Sequence, residues 1–219
     1  EARRFEAACR AAGADLVALE ENPIDAIWTD RPLPPLSQVM QQPDELAGES
    51  ADDKIRRMQA VLADKGVDAA ILAQSDSIAW LFNIRGADVP HNPVVLSYAL
   101  LQRDERPTLY VDGRKLSNAI RDQLAERADI KEERAFLTDL AELGDEGRRV
   151  LVDPQTTPAL FARTLTDARG VLVEGADPVV LPKARKNAIE LDGTRRAHNR
   201  DGAAMTRFLA WLDANGANG

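Results

Sequence analysis

DSIAWLFNIRGADVPHNPV, residues 76–94, joins an apolar block to a polar loop with no transition between them. The block is Ile78, Ala79, Trp80, Leu81 and Phe82; Asn83, Arg85, Gly86 and Asp88 follow, then Pro90, His91, Asn92 and Pro93. Aromatic side chains inside an apolar block bury, which assigns Trp80 and Phe82 to a core. The run behind them reads as a stiff loop. Two prolines fix φ and remove backbone donors, and Gly86 permits a sharp turn. A rigid scaffold presenting such a loop is where recognition residues sit.

Outward from this stretch, strands and helices alternate. On the N-terminal side, Asp68–Ala73 reads as an apolar strand, and Ser75 or Asp76 as the cap of a short helix through Phe82. Before it, Ser50-Ala51-Asp52-Asp53 resembles a capping box opening a helix whose face is Ile55, Met58 and Leu62 and whose end is Gly66. On the C-terminal side, Val94–Leu101 and Thr108–Val111 read as a hairpin around Arg103-Asp104-Glu105-Arg106. Leu116, Ile120 and Leu124 predict a helix, Ile130 a weak strand, and Phe136, Leu137, Leu140 and Leu143 a second helix. Val150–Val152 (strand), Pro158–Ala168 (helix) and Val171–Val173 (strand) complete an α/β domain over 50–182. Its expected core is a mixed sheet of about five or six strands flanked by helices.

Both flanks differ in character. Residues 1–12 carry Phe5, Ala8, Cys9 and Ala12 at helical spacing, closed by Gly13, and Leu16–Leu19 reads as a short strand. Pro23 opens a short helix through Trp28. Pro32, Pro34, Pro35 and Pro43 make 29–48 an extended surface linker, and Asp177–Pro182 a second, stiff one. From Lys183 onward Ile189, Gly193, Ala197, Ala204, Phe208 and Trp211/Leu212 recur at helical spacings, predicting one long helix.

With 219 residues, one domain plus flanking pieces, or two small domains, is expected. A net charge of −8, with basic residues scattered or interleaved with acids, argues against a nucleic-acid partner, because phosphate binding wants a clustered basic surface. Cys9 is the single cysteine, which excludes a disulfide framework and a cysteine zinc site; it reads as a small core residue. No apolar run reaches the ~18 residues of a membrane span and no signal peptide is visible, so the expected address is cytoplasmic, with no membrane partner. Glu1 is not an initiator methionine and 215–219 read as loop, so both ends are expected to be cut. HExxH, GxSxG, GxGxxG and P-loop patterns are all missing. Asp112-Gly113 reads as a strand-end turn, Asp192-Gly193 as a mid-helix close contact, and His198 as a polar-face residue among Arg195, Arg196 and Arg200.

Residues 76–94, with Asp25-Ala26-Ile27-Trp28 upstream and Lys186 and Arg195-Arg196-Ala197-His198 downstream, resemble the three-domain aminopeptidase P (X-prolyl aminopeptidase) family. That family is similar to creatinase and prolidase in its metal-dependent pita-bread catalytic domain. The resemblance implies a creatinase N-terminal-like fold and four segments: 1–30 the end of a first domain, 31–49 a linker, 50–182 the middle domain, and 183–219 the opening helix of the catalytic domain. It implies a parent that hydrolyses the bond after an N-terminal residue preceding proline, through a divalent, dinuclear manganese site of two Asp, one His and two Glu. Those ligands would lie beyond this helix, so no catalytic or metal-binding residue and no cofactor is expected within the chain itself. Arg85, Asp88, His91 and Asn92 are the substrate-entrance candidates. The plainer reading pairs Arg85 with Asp88, lets Asn and Asp bond backbone, and leaves His91 fixed by its neighbours. The remaining alternative is a stand-alone α/β binding module. The apolar stripe of the last helix is expected to fold back, fray, or pair with another copy, and pairing into a homo-oligomer is favoured.

Overall fold

The computed structural model describes residues 2–19 and 21–216. Its centre is the alternation of the strands β2 (Ala69–Leu72), β4 (Tyr98–Gln102), β5 (Thr108–Tyr110), β6 (Asp129–Lys131), β7 (Arg149–Val152) and β8 (Val171–Glu174), with a separate two-stranded pair of β1 (Met40–Gln41) and β3 (Ile84–Arg85). The six pair in the order β6-β5-β4-β2-β7-β8. β4 is antiparallel to both β2 and β5, while β2, β7 and β8 are mutually parallel and β5 is parallel to β6. One reversed strand thus sits inside an otherwise parallel sheet. Such a sheet is covered on both faces, which is why its strands read as nearly continuous apolar runs.

Period two sorts the strand residues onto those faces. Ala70, Leu72, Ala99, Leu101, Leu109 and Leu151 point to a layer containing α4 (Ala51–Lys65), α5 (Ser75–Leu81) and α6 (Asn118–Ala125). Ala69, Ile71, Leu100, Tyr110, Val150 and Val152 point to α7 (Phe136–Asp145) and α8 (Ala159–Asp167). The second layer holds an aromatic cluster: Phe136 stacks on Tyr98 at 5.2 Å and meets Tyr110 and Phe161 edge-on at 4.8 and 4.7 Å. Helix α4 follows its sequence closely. Ser50 Oγ accepts the Asp53 amide at 3.1 Å and donates to its carboxylate at 2.7 Å, and Gly66 ends the helix in the left-handed region.

Several local expectations change. Leu16–Leu19 forms no strand, because among the described residues no second strand pairs with it and its apolar side chains are exposed. Helix α1 (Ala2–Ala11) buries no described side chain, so Cys9 is part-exposed rather than core. The short helix α2 (Pro23–Ile27) forms as read, with Asn22 capping Ile24 N–H. The segment 29–48 is extended only in its first part. From Ser37 it enters the fold: Val39 and Ala47 are buried, β1 pairs with β3, and α3 (Asp44–Ala47) adds a helical turn. Gln74, with no side-chain cap bond, precedes α5 in place of the expected Ser75 or Asp76. Residues 94–97 lie outside β4. Asp177–Pro182 is no free linker, since Asp177 and Val179 are buried and α9 (Val180–Ala184) packs on α5.

Helix α10 (Ala188–Asn215) opens with a full capping box between Asn187 and Glu190. Asn187 Nδ2 also donates to Ala47 O at 2.7 Å, docking the helix onto α3. Gly48 is required at that contact: its φ is +73°, and a Cβ there would lie 2.4 Å from the Asn187 side chain. Beyond this joint α10 stands clear of the sheet, with no buried residue, and Gly193 meets nothing.

Candidate functional site: the 83–97 loop

The loop begins where α5 ends, and its first anchor is Asn83, held at φ +51°. Its amide donates to Asp44 Oδ1 at 3.0 Å and Glu49 O at 2.9 Å, while its Oδ1 accepts from Lys54 Nζ at 2.6 Å. Lys54 is itself buried, donates a second bond to Trp80 O at 3.1 Å, and lies 4.4 Å from the centre of the Trp80 ring. Burial pushes its ammonium down to about 8, against the opposing pull of Glu49, Glu190 and Asp44. Trp80 is 6% exposed, a core residue as read, and the cation on its face fixes the loop's origin to α4.

Asp88 is the second anchor. Its side chain is fully buried, and four donors converge on it: Ser37 N (3.1 Å), Ser37 Oγ (2.7 Å), Leu96 N (2.8 Å) and Lys115 Nζ (2.8 Å). Burial raises its carboxyl, but Lys115, Ser37 and the two amides together outweigh this and hold it below its ordinary value. Three distant segments are therefore clasped on one carboxylate. Gly86 serves close packing rather than turn conformation. Its φ is not positive, and a Cβ there would lie 2.6 Å from Val95 Cγ2.

The four sequence candidates separate into two pairs. Arg85 and Asp88 face inward and do not pair with each other. Arg85 Nη1 donates to Ala79 O and Ile84 O, while the cation on Asp88 is Lys115. His91 and Asn92 are exposed at the tip, where Asn92 N–H donates to Val89 O at 3.1 Å and closes a tight turn. His91 occupies the left-handed region at φ +62°, a conformation uncommon for a residue with a side chain. His198 is exposed on α10, its Nδ1 2.9 Å from Thr194 O.

Lys54 and Lys115 were not singled out from sequence. Lys54 had a signal: it lies four residues before Met58, on the stripe that α4 buries. Lys115 had none, because its partner is 27 residues away through a loop. Among the described residues no group of three or more His, Cys, Asp or Glu side chains is placed to hold a metal ion, so a dinuclear centre does not fit the residues present. No described helix is long and apolar enough to cross a membrane.

Residues 30–190, a span holding both anchors, the loop and the sheet, match the creatinase/prolidase N-terminal domain. The chain belongs to that family. As a creatinase/prolidase N-terminal domain protein it is 35% identical over 220 residues to the Probable Xaa-Pro aminopeptidase P of Leptosphaeria maculans, covering 97% of this chain and 36% of that protein. It is 38% identical over 219 residues to the protein of the same name from Metarhizium acridum, covering 93% of this chain and 35% of that one. The chain thus spans about a third of the length of the curated relatives it matches. Among solved structures it superposes on the X-prolyl aminopeptidase of Caenorhabditis elegans, a cytosolic enzyme with a di-nuclear active site. There the TM-score is 0.89 at 27% identity, covering 100% of this chain and 36% of that one. The Xaa-Pro dipeptidase of Bacillus anthracis shares the fold at a TM-score of 0.54 and 14% identity.

Proposed function

We propose that this chain is the non-catalytic portion of an X-prolyl aminopeptidase, a protein that hydrolyses the bond between an N-terminal residue and a following proline at a dinuclear, divalent-metal centre, manganese by the resemblance. The observation that carries this is the superposition of the whole chain on the C. elegans enzyme at a TM-score of 0.89. Residues 1–30 belong to a first domain, 50–182 to the middle domain, and 183–219 open the catalytic domain. The segment 31–49 connects the first two, its second half packed against the middle domain. The protein works in the cytoplasm. In this reading Asn83, Asp88 and Lys115 hold the loop rigid, and His91 and Asn92 at its tip line the route by which peptide reaches the metal. Arg85 orients the loop's base through Ala79 O and Ile84 O.

A chimaera tests this: the matching third of the Metarhizium acridum protein is replaced by this chain, and turnover of an Xaa-Pro peptide is followed. Chelator-sensitive turnover is expected, with His91→Ala and Asn92→Ala raising KM more than they lower kcat. A folded chimaera without turnover overturns the domain-positioning reading, and an unchanged KM overturns the entrance.

The exposed stripe of α10 supports a homo-oligomer for the chain by itself. Ile189, Phe208, Leu209 and Leu212 are all exposed, Trp211 is 60% exposed, and at ~25 cal/mol per Å² their burial is strongly favourable. Light scattering should give a dimer for 1–219 and a monomer for a chain ending at Pro182. A monomer for both refutes pairing. The closed, two-sided core supports the second reading, a stand-alone binding module; an inactive chimaera with a dimeric chain would favour it.

A further inference from the structure

A cavity of about 220 Å³ opens where α9 gives way to α10. Glu49 and Arg57 bound it from the start of α4, Trp80 from α5, Leu181 and Pro182 from α9, and residues 185–190 close it. Neither His91 nor Asn92 lines it, so it is separate from the loop tip.

Most of the polar groups around the cavity are already spent. Glu49 accepts from Arg57 at 2.7 Å, and Glu190 Oε2 accepts the Asn187 amide at 2.9 Å. Lys186 Nζ donates to Lys183 O at 2.5 Å, and Asn187 Nδ2 donates to Ala47 O. Two donors are left over. Arg185 stands at the break between the helices with extended backbone, and its guanidinium makes no hydrogen bond or ion pair among the described residues. The Trp80 indole N–H also donates to no described group, although the residue is only 6% exposed. Nε1 is not among the sealed atoms without a partner, so it keeps contact with the open space that the ring borders.

The unspent capacity is therefore all donor, and a donor with no acceptor calls for a ligand oxygen. Charge points the same way. Arg57, Arg185 and Lys186 face two carboxylates, Glu49 and Glu190, and Lys54 Nζ adds positive charge 4.4 Å from the Trp80 ring centre. An inorganic anion would leave Leu181, Pro182 and the Trp80 ring uncovered. A cavity of about 150 Å³ holds benzene, so this one has room for a carboxylate and an apolar body of that size.

We propose that the cavity binds a small organic carboxylate, its oxygens held by the Arg185 guanidinium and Trp80 Nε1–H and its apolar body packed on Leu181 and Pro182. The ligand bridges α5, α9 and the first turn of α10, and so stiffens the joint from which α10 projects. Binding is non-covalent, and the guanidinium supplies its strongest single contact.

The test uses the 219-residue chain with benzoate as the probe. Benzamide is its uncharged counterpart, inorganic phosphate is the anion without an apolar body, and all three are added at one ionic strength. Proton–nitrogen NMR follows the three indole N–H signals. Trp28→Phe and Trp211→Phe, at exposed positions, assign two of them and leave Trp80 by elimination. Benzoate should shift the Trp80 signal alone, saturating with a Kd below about 10 mM, the weakest value that ordinary ligand efficiency allows a molecule of its size. Benzamide and phosphate should bind more weakly. Arg185→Gln should weaken benzoate about tenfold or more, the contribution of one charge-assisted hydrogen bond. Arg195→Gln makes the same charge change on α10 outside the cavity and should leave binding unchanged. Amide exchange at 186–190 should slow in step with saturation. The proposal is overturned by a Trp80 signal that does not saturate, or by a shift shared equally by all three indoles. Benzamide or phosphate matching benzoate overturns it too, as does full affinity in Arg185→Gln. Unchanged exchange at 186–190 under saturating benzoate overturns the bridging of the joint.

Discussion

Replacing Asp88 by alanine should be the most damaging single change to the loop. It removes the acceptor of four hydrogen bonds and strands Lys115, whose side chain is 4% exposed and would retain only Leu96 O at 3.2 Å. Breaking a buried pair by removing one partner costs about 3–5 kcal/mol. Two amides, Ser37 N and Leu96 N, also lose their acceptor; because the bonds share one carboxylate their costs do not add, and about 4 kcal/mol is a reasonable whole. In urea, with a slope of about 2 kcal/mol per M, the midpoint should fall by roughly 2 M. Lys115→Met is the control. It leaves Asp88 with Ser37 N, Ser37 Oγ and Leu96 N, and should cost clearly less than Asp88→Ala. The pH dependence has a definite sign. Asp88 titrates below its ordinary value, so its contribution is present above the unfolded carboxylate value and lost as pH falls through the folded one. A midpoint shift under about 0.5 M for Asp88→Ala, by the same slope, would refute the clasp.

Trp80→Ala should cost about 3–5 kcal/mol by leaving a cavity and removing the surface that Lys54 lies over, while His91→Ala should stay within about 0.5 kcal/mol; denaturant melts with the reverse ranking would overturn the division of core from tip. Lys54 binds its proton less readily folded than unfolded, so stability should rise with pH between about 8 and 10.5. Lys54→Met should flatten that rise while lowering stability by about 1–3 kcal/mol, because Asn83 Oδ1 and Trp80 O lose their donor. Calorimetric titration of the 219-residue chain with manganese should show no stoichiometric micromolar binding, and a peptide assay no chelator-sensitive cleavage of an Xaa-Pro bond.

The strands and α4 were legible because their signals are local: apolar runs bounded by turn residues, a Ser cap, a Gly stop. Where partners are distant, the signal fails. Leu16–Leu19 has the composition of a strand, but a strand exists only with a neighbour to bond, and composition does not name one. The prolines of 29–48 correctly exclude long helix, yet say nothing about Val39 and Ala47 being buried. Arg85 and Asp88 sit three apart in an apparently complementary pair, but the low-exposure site of Asp88 is filled by Lys115 from another segment. The loop was readable as a loop. Which of its residues are structural and which exposed was set by tertiary contacts no spacing rule encodes.

Helix α10 also has a mechanical meaning. At 1.5 Å per residue its 28 residues make a rod of about 42 Å, gripped near one end by Asn187 on Ala47 and by the turn of α9. Leverage follows from that geometry: a tilt of 10° at the grip displaces the far end by roughly 7 Å, more than one helical pitch. Changes of a few tenths of an ångström around Gly48 or Asn187 are therefore magnified at Phe208 and Trp211. Whatever those side chains meet, its position is governed by packing at the other end of the rod.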